Sequence, residues 1–134
     1  VIVGGRYMGM EIADYISGLD GKEVTLVTRS ELGRDMQTQV FLALFHRLLR
    51  KRVQFLQHAE AWEIMDTGLY VWFHGELVFL ECDTVILAVG FRPDASLAKA
   101  LEGTGVPTYV IGDAAEVRDA LDAVREGAEI GRAI

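Results

Sequence analysis

A single cysteine, Cys82, stands among the 134 residues. One thiol excludes an internal disulfide, a CxxC redox pair and a thiolate zinc cage. Cys82 lies in an apolar strand context, so it reads as a buried, inert thiol, and a chain without disulfides fits a reducing, cytoplasmic setting. Basic residues are in deficit, 13 Lys and Arg against 20 Asp and Glu, for a net charge of −7. That balance argues against nucleic acid as a partner, because phosphate binding needs a cationic surplus. The one basic cluster, Arg47, Arg50, Lys51 and Arg52, reads as the solvated end of a helix, where cations suit the negative dipole terminus. No apolar run approaches the roughly 20 residues of a bilayer span, so no membrane partner is expected. His46 has no second ligand at metal-binding spacing and reads as a packed or surface histidine. Nor is there an initiator methionine. Val1 already lies inside a strand and not a signal peptide, so the chain is expected to be a piece of a longer polypeptide. With 51% hydrophobic and 25% charged residues it is one domain's worth of globular sequence with a real core.

What is present is organised around Val1 to Ile16, VIVGGRYMGMEIADYI. A short β-branched run ends in two glycines and passes straight into helical spacing, with Met8, Ile12, Tyr15, Ile16 and Leu19 sharing one expected buried face. Strand, glycine turn and helix open a dinucleotide-binding βαβ unit. In its fingerprint the first glycine allows the tight turn, the second admits the pyrophosphate, and the third lets helix and strand pack closely. Gly4 and Gly9 hold the first and third places, while Arg6 stands in the second.

Further along, Glu23–Thr28 reads as a second strand and Gln37–Lys51 as a helix with Asp35 as its N-cap. Its expected face is Val40, Ala43, Leu44 and Leu48, widened by Phe41, Phe45 and Leu49. Val53–Gln57 is a third strand. The runs Ala61–Met65, Leu69–Phe73 and Leu77–Glu81, separated by turn clusters, predict an antiparallel meander. Trp62, Tyr70, Trp72, Phe73 and Phe79 read as its packing face. Thr84–Gly90 is another apolar strand, and Asp94 can cap a short helix over Ala95–Leu101. Pro107–Asp113 then reads as a strand ending in Gly-Asp, and Glu116–Ile134 as a long helix with Asp113 as its N-cap. That helix carries two apolar faces, Val117, Leu121, Val124 and Ala128 on one and Ala120, Ala123, Gly127, Ile130 and Ile134 on the other. The fold class is α/β: a Rossmann-like three-layer parallel sheet with a small antiparallel meander. The strand order is expected to be third, second, first, Thr84–Gly90, with helices on both faces.

Taken together, the glycine turn, the aromatic-rich meander, LAVGFRPD at Leu87–Asp94 and the tail TYVIGDAAEVRDALDAVREGAEIGRAI resemble the flavin-dependent pyridine nucleotide oxidoreductase superfamily. The resemblance is to the C-terminal region of multidomain NADH:flavin oxidoreductases, such as 2,4-dienoyl-CoA reductase and the trimethylamine dehydrogenase relatives. It implies that the GGxxxGxE region, here Gly4, Gly5, Arg6, Tyr7, Met8, Gly9 and Glu11, binds NAD(P)H. It implies too that the strand and turn around Gly90 close the nucleotide domain, and that Gly112 and Asp113 match the Gly-Asp pair that contacts FAD. On that division residues 1–106 are the NAD(P)-binding domain with its meander. Residues 107–134 resemble the end of the FAD domain and are expected to pack on the first part. FAD itself is expected to be held by the parent protein and not by this fragment alone, with the parent's remaining domains as partners.

Where NAD binders usually carry an acidic residue at the end of the second strand, this chain has Thr28 and then Arg29, an arginine that either suits a 2′-phosphate or is a surface residue of the loop. Two functions stay open at this point. One is an enzyme module that seats NAD(P)H for hydride transfer to FAD in an NAD(P)H- and flavin-dependent parent. The other is a degenerate Rossmann domain whose site has closed around Arg6 and which serves as a scaffold. No side chain is picked out as a nucleophile or acid–base catalyst. The tail strand Tyr109–Gly112 is expected to pair beside Val85–Val89 as a fifth parallel strand, or to be exchanged between two chains in a dimer.

Overall fold

The computed structural model describes every residue from Val1 to Ile134. The chain forms two compact units, Val1–Val89 and Gly90–Ile134.

In the first unit the short apolar runs become the parallel strands β1 (Ile2–Val3), β2 (Thr25–Thr28), β3 (Gln54–Gln57) and, after the meander, β7 (Ile86–Leu87). They lie in the order β3-β2-β1-β7, which puts β1 in the interior of the sheet as its burial demands. Period-two alternation sorts their side chains into two cores. Ile2 and Leu26 face helices α1 (Tyr7–Ile16) and α2 (Thr38–Arg50), where they meet Met10, Ala13, Leu44 and Leu48. Val3 and Val27 face the other way, onto Ala59, Leu69 and Val71 of an antiparallel sheet. That sheet is the meander, β4 (Ala59–Met65), β5 (Gly68–Phe73) and β6 (Glu76–Glu81). His74 and Gly75, with φ of 52° and 84°, close the β5–β6 hairpin as a two-residue turn that needs positive φ at both positions. The unit's three layers are thus helices, parallel sheet and antiparallel sheet. Helices do not cover both faces: β4 follows β3 after His58 alone, and its sheet brings the apolar residues that occupy the second face.

Several faces differ from expectation for one reason, the closeness of approach. On α1 the buried residues are Gly9, Met10 and Ala13, while Met8 and Tyr15, and Leu19 beyond its end, are exposed. Small residues let the helix lie near the sheet, and the bulky ones flank it. On α2 only Leu44 and Leu48 are buried; Phe41 and Phe45 pack at the margin, and Val40, Ala43 and Leu49 are exposed. In the meander the inward residues are Leu69, Val71 and Phe73, so Tyr70, Trp72 and Phe79 fall on the opposite face. Trp62 sits at a β-bulge between Ala61 and Glu63 and stacks edge-on against Trp72. Cys82 is half-buried just beyond β6. The basic end of α2 is partly neutralised, since Arg47 and Lys51 reach Asp14 of α1 at 3.1 and 2.8 Å.

The second unit holds two helices, α3 (Ser96–Leu101) and α4 (Ala120–Ala133), with a single 3₁₀ turn at Gly112–Ala114. Asp94 accepts a hydrogen bond from the Ser96 N–H at 2.9 Å, which also draws its carboxyl below the usual range. The expected strand Pro107–Asp113 does not form, and the parallel sheet has four strands, not five. A strand exists only by pairing, and β7 at that edge is two residues long, a poor template. Nor does the last helix begin at Glu116 under Asp113. It begins at Ala120, where Asp119 accepts from the Asp122 N–H at 2.9 Å and is the true N-cap. Of its two apolar faces, the small-residue one meets the 3₁₀ turn, with Ala123 close to Gly112 and Gly127 close to Ile111. Leu121 and Val124, on the other, are exposed. No helix is long and apolar enough to cross a membrane.

Candidate functional site

The glycine turn joins the carboxyl end of β1 to α1, and each of its glycines is required by contact. Gly4 has φ +124°, and a Cβ there would overlap the Ala88 carbonyl, 2.7 Å from its carbon. A Cβ on Gly9 would overlap the Gly4 carbonyl, 2.8 Å from its carbon, so the third glycine sets how closely helix and strand approach. Gly5, between the fingerprint positions, is held by Thr28: a Cβ there would lie 2.7 Å from the Thr28 Cβ. The sequence carried no signal for that role, because Thr28 comes from the next strand.

Arg6 is the N-cap residue of α1, in extended backbone, and its side chain makes no capping hydrogen bond. The N–H of Tyr7, the first of the helix, is instead taken by the carboxylate of Asp35 at 3.0 Å, and the Arg6 Nε lies 3.5 Å from the other oxygen of that carboxylate. Asp35 is therefore not the N-cap of α2. That place belongs to Gln37, which gives no side-chain bond. Asp35 stands too far ahead of that helix, and its carboxylate takes the Tyr7 N–H of α1 instead.

Around this turn opens a cleft of about 240 Å³ at the carboxyl edge of the strands, lined by Gly4, Arg6, Thr28, Arg29, Glu60 and Ala88 among others. It lies over the junction of β1 with β2 on one side and β7 on the other, where the strand order reverses. Open α/β sheets bind ligands at such reversals, outside the carboxyl ends of the strands. A larger hollow of about 480 Å³ at the opposite, amino edge, next to Val24 and Thr84, lacks the glycine turn and is the weaker candidate. Thr28 is buried, and its hydroxyl accepts from the Ser30 N–H at 3.4 Å. The Arg29 guanidinium is largely exposed and sits 3.8 Å from the Glu60 carboxylate on β4.

Among the sequence candidates, Gly4, Arg6, Thr28 and Arg29 converge on the cleft. Gly5 and Gly9 are buried behind it. Tyr7 offers its backbone N–H at the turn, but its side chain and Glu11 line a separate hollow between α1 and α2, with Gln39 and Arg47. There the Glu11 carboxylate, as hydrogen-bond partner and like charge, raises the Tyr7 phenol above its ordinary value. Met8 is exposed on α1. Glu60 and Ala88 escaped sequence reasoning, since only folding brings the meander and β7 to the glycine turn.

Gly90, Gly112 and Asp113 belong to the second unit. Gly90 has φ +107° and open space around it. The Gly112 N–H donates to Glu126 at 2.7 Å, and the same carboxylate pairs with Arg118. Both contacts, the Gly112 N–H first, hold the Glu126 carboxyl below its usual range, and Glu126 in turn raises Arg118. Asp113 accepts a long bond, 3.4 Å, from the Arg118 N–H. No group of three or more His, Cys, Asp or Glu side chains lies close enough together to hold a metal ion.

Comparison with known proteins agrees with this architecture. Residues 1–127 match the family described as pyridine nucleotide-disulphide oxidoreductase. The chain is 30% identical over 128 residues to a bilirubin reductase of Mediterraneibacter gnavus, covering 95% of this chain and 20% of that protein. It is 28% identical over 132 residues to an NADH oxidase of Thermoanaerobacter brockii, covering 97% of this chain and again 20% of the relative. Among solved structures, a 2-naphthoyl-CoA reductase complex superposes with a TM-score of 0.87 at 29% identity, over 97% of this chain and 20% of that one. The chain thus spans about a fifth of the length of these relatives.

Proposed function

Since the chain belongs to the pyridine nucleotide-disulphide oxidoreductase family, we propose that its first unit seats NAD(P)H as one domain of a longer flavin-dependent oxidoreductase. The observation that carries this reading is the glycine turn at the carboxyl end of an interior strand, opening on a cleft where the strand order reverses. The residues present suit a dinucleotide. Gly4 and Gly9 keep the turn flat against β7 and α1, and the Tyr7 N–H stands at the positive end of a helix, which favours phosphate. Thr28 ends β2 and Arg29 follows it, where the adenosine ribose would lie, and a guanidinium there favours a 2′-phosphate. A bound nicotinamide supplies the hydride, and this chain's residues bind and orient it. FAD would be held mainly by other parts of the parent. Within this chain the Gly112 N–H is already satisfied by Glu126.

One observation favours a second reading, a domain whose nucleotide site has closed and which serves as a scaffold. Arg6 replaces the glycine next to the pyrophosphate seat, and it is paired with Asp35. Calorimetric titration separates the two. Weak binding is expected, with NADPH bound no more weakly than NADH because of Arg29. Absence of binding to either at millimolar concentration would leave the scaffold. Micromolar NADH binding would refute the idea that Arg6, Thr28 and Arg29 limit affinity. Arg6→Gly raises affinity if the side chain obstructs the seat and lowers it if the guanidinium is a phosphate ligand.

A further inference from the structure

We infer that Asp35 is a resident anion that occupies the phosphate seat of the glycine turn and must be displaced before a dinucleotide can bind there. This rests on the reading of Val1–Val89 as a dinucleotide domain and adds a named competitor within it.

The contact is held by the loop between β2 and α2. The Gly33 N–H donates to the Gly5 carbonyl at 2.7 Å, which ties the loop directly to the glycine turn. Beside it, the Leu32 N–H donates to the Gln57 side chain at 2.9 Å, and the Leu32 side chain is buried. Gly33 has φ +64°, and a Cβ there would run into the Phe41 ring, 2.8 Å from Cε2, so the loop accepts only glycine at this close approach. The Met36 N–H closes back on the Gly33 carbonyl at 2.9 Å. Between these anchors Asp35 is delivered to the Tyr7 N–H at 3.0 Å and to Arg6.

Its partners are those a phosphate oxygen would seek: the first N–H of a helix, the positive end of that helix's dipole and a guanidinium. Helix α1 has no acidic residue in its own first turn, so the carboxylate comes from a residue 28 positions away. A pyrophosphate brings more negative charge to the same N–H, and two anions at one helix end repel. Binding is therefore an exchange. The Asp35 side chain is one-third exposed and can turn into water, which releases the Tyr7 N–H and Arg6 together. The substitution at the second glycine position and the carboxylate facing it act as one device, a charged pair that keeps the seat filled until phosphate replaces it.

The test titrates the full 134-residue chain with NADPH and, separately, follows the Tyr7 amide resonance on addition of inorganic pyrophosphate. It uses the parent sequence, Asp35→Asn, which keeps an acceptor oxygen without charge, and Asp35→Ala. Asp35→Asn is expected to bind NADPH about threefold to tenfold more tightly, the scale of a charge at a helix terminus. Its Tyr7 amide should shift at a lower pyrophosphate concentration than in the parent. Should Asp35→Ala fail to fold, Asp35→Asn decides alone. If the parent binds NADPH and Asp35→Asn binds it equally or less well, the inference is overturned while the dinucleotide reading stands. If neither binds NADPH, the dinucleotide reading falls and the Tyr7 amide decides about Asp35. A pyrophosphate shift confined to, or stronger in, the variants upholds the resident anion; equal shifts, or none, overturn it.

Discussion

Gly9→Ala is expected to destabilise the first unit by about 3 kcal/mol or more, at the upper end of what overpacking a tight contact costs. The added Cβ would overlap the Gly4 carbonyl and lie 2.8 Å from its carbon, and both are backbone atoms that cannot rotate away. Relief requires α1 to slide outward. That helix carries Met10 and Ala13, both fully buried, into the core it shares with Ile2 and Leu26. The strain cannot be relieved without opening a cavity beneath the helix, so the two costs add. Gly21→Ala is the control: its φ of +69° disfavours alanine, but nothing stands within 4 Å of the added carbon, and a loss of only about 1 kcal/mol is expected. Urea unfolding followed by far-ultraviolet circular dichroism compares them. Equal midpoints for the two variants would show that helix and strand do not approach as closely as the turn indicates.

Leu69→Ala is expected to cost about 2–5 kcal/mol, the range for truncating a fully buried leucine that leaves a cavity. Leu69 is fully buried on β5 between the two sheets, where it joins Val3, Val27 and Val71. Trp72, three residues on and far larger, faces the opposite way, is 40% exposed and pairs edge-on with Trp62. Its replacement by alanine should cost about 1 kcal/mol, close to the worth of an aromatic pair. The ranking inverts what side-chain size alone suggests. Calorimetric melting of both variants checks it, and a Trp72→Ala melting point below that of Leu69→Ala would place the wrong face of the meander in the core.

Much of the fold was legible because local chemistry dictated it. A β-branched run broken by Gly4 and Gly5 and followed by helical spacing can only be strand, turn and helix, and right-handed crossovers then order β3-β2-β1-β7. The meander's turns stand out in the sequence as Asp66-Thr67-Gly68 and His74-Gly75-Glu76, short polar breaks between apolar runs. The glycine turn that borders the candidate cleft is itself visible in the sequence.

Which side of the meander is buried could not be read in the same way. Leu69 and Val71 alternate with Tyr70 and Trp72, and both sets are apolar, so periodicity was equally content with either. The choice was made by the surface offered from across the cleft between sheets, where Val3 and Val27 leave room for aliphatic side chains. Asp113 read as the cap of the last helix, yet Gly112–Ala114 turn as a 3₁₀ helix and Asp119 caps α4 by accepting from the Asp122 N–H. Asp35 stands near the start of α2 in the chain, yet its carboxylate serves α1, because the link from Gly33 to Gly5 brings it there. Sequence by itself determined the elements and their order, since these follow from interactions a few residues apart. Tertiary structure decided which faces and charges meet, because a buried face or a charge partner is defined only by what the fold sets opposite it.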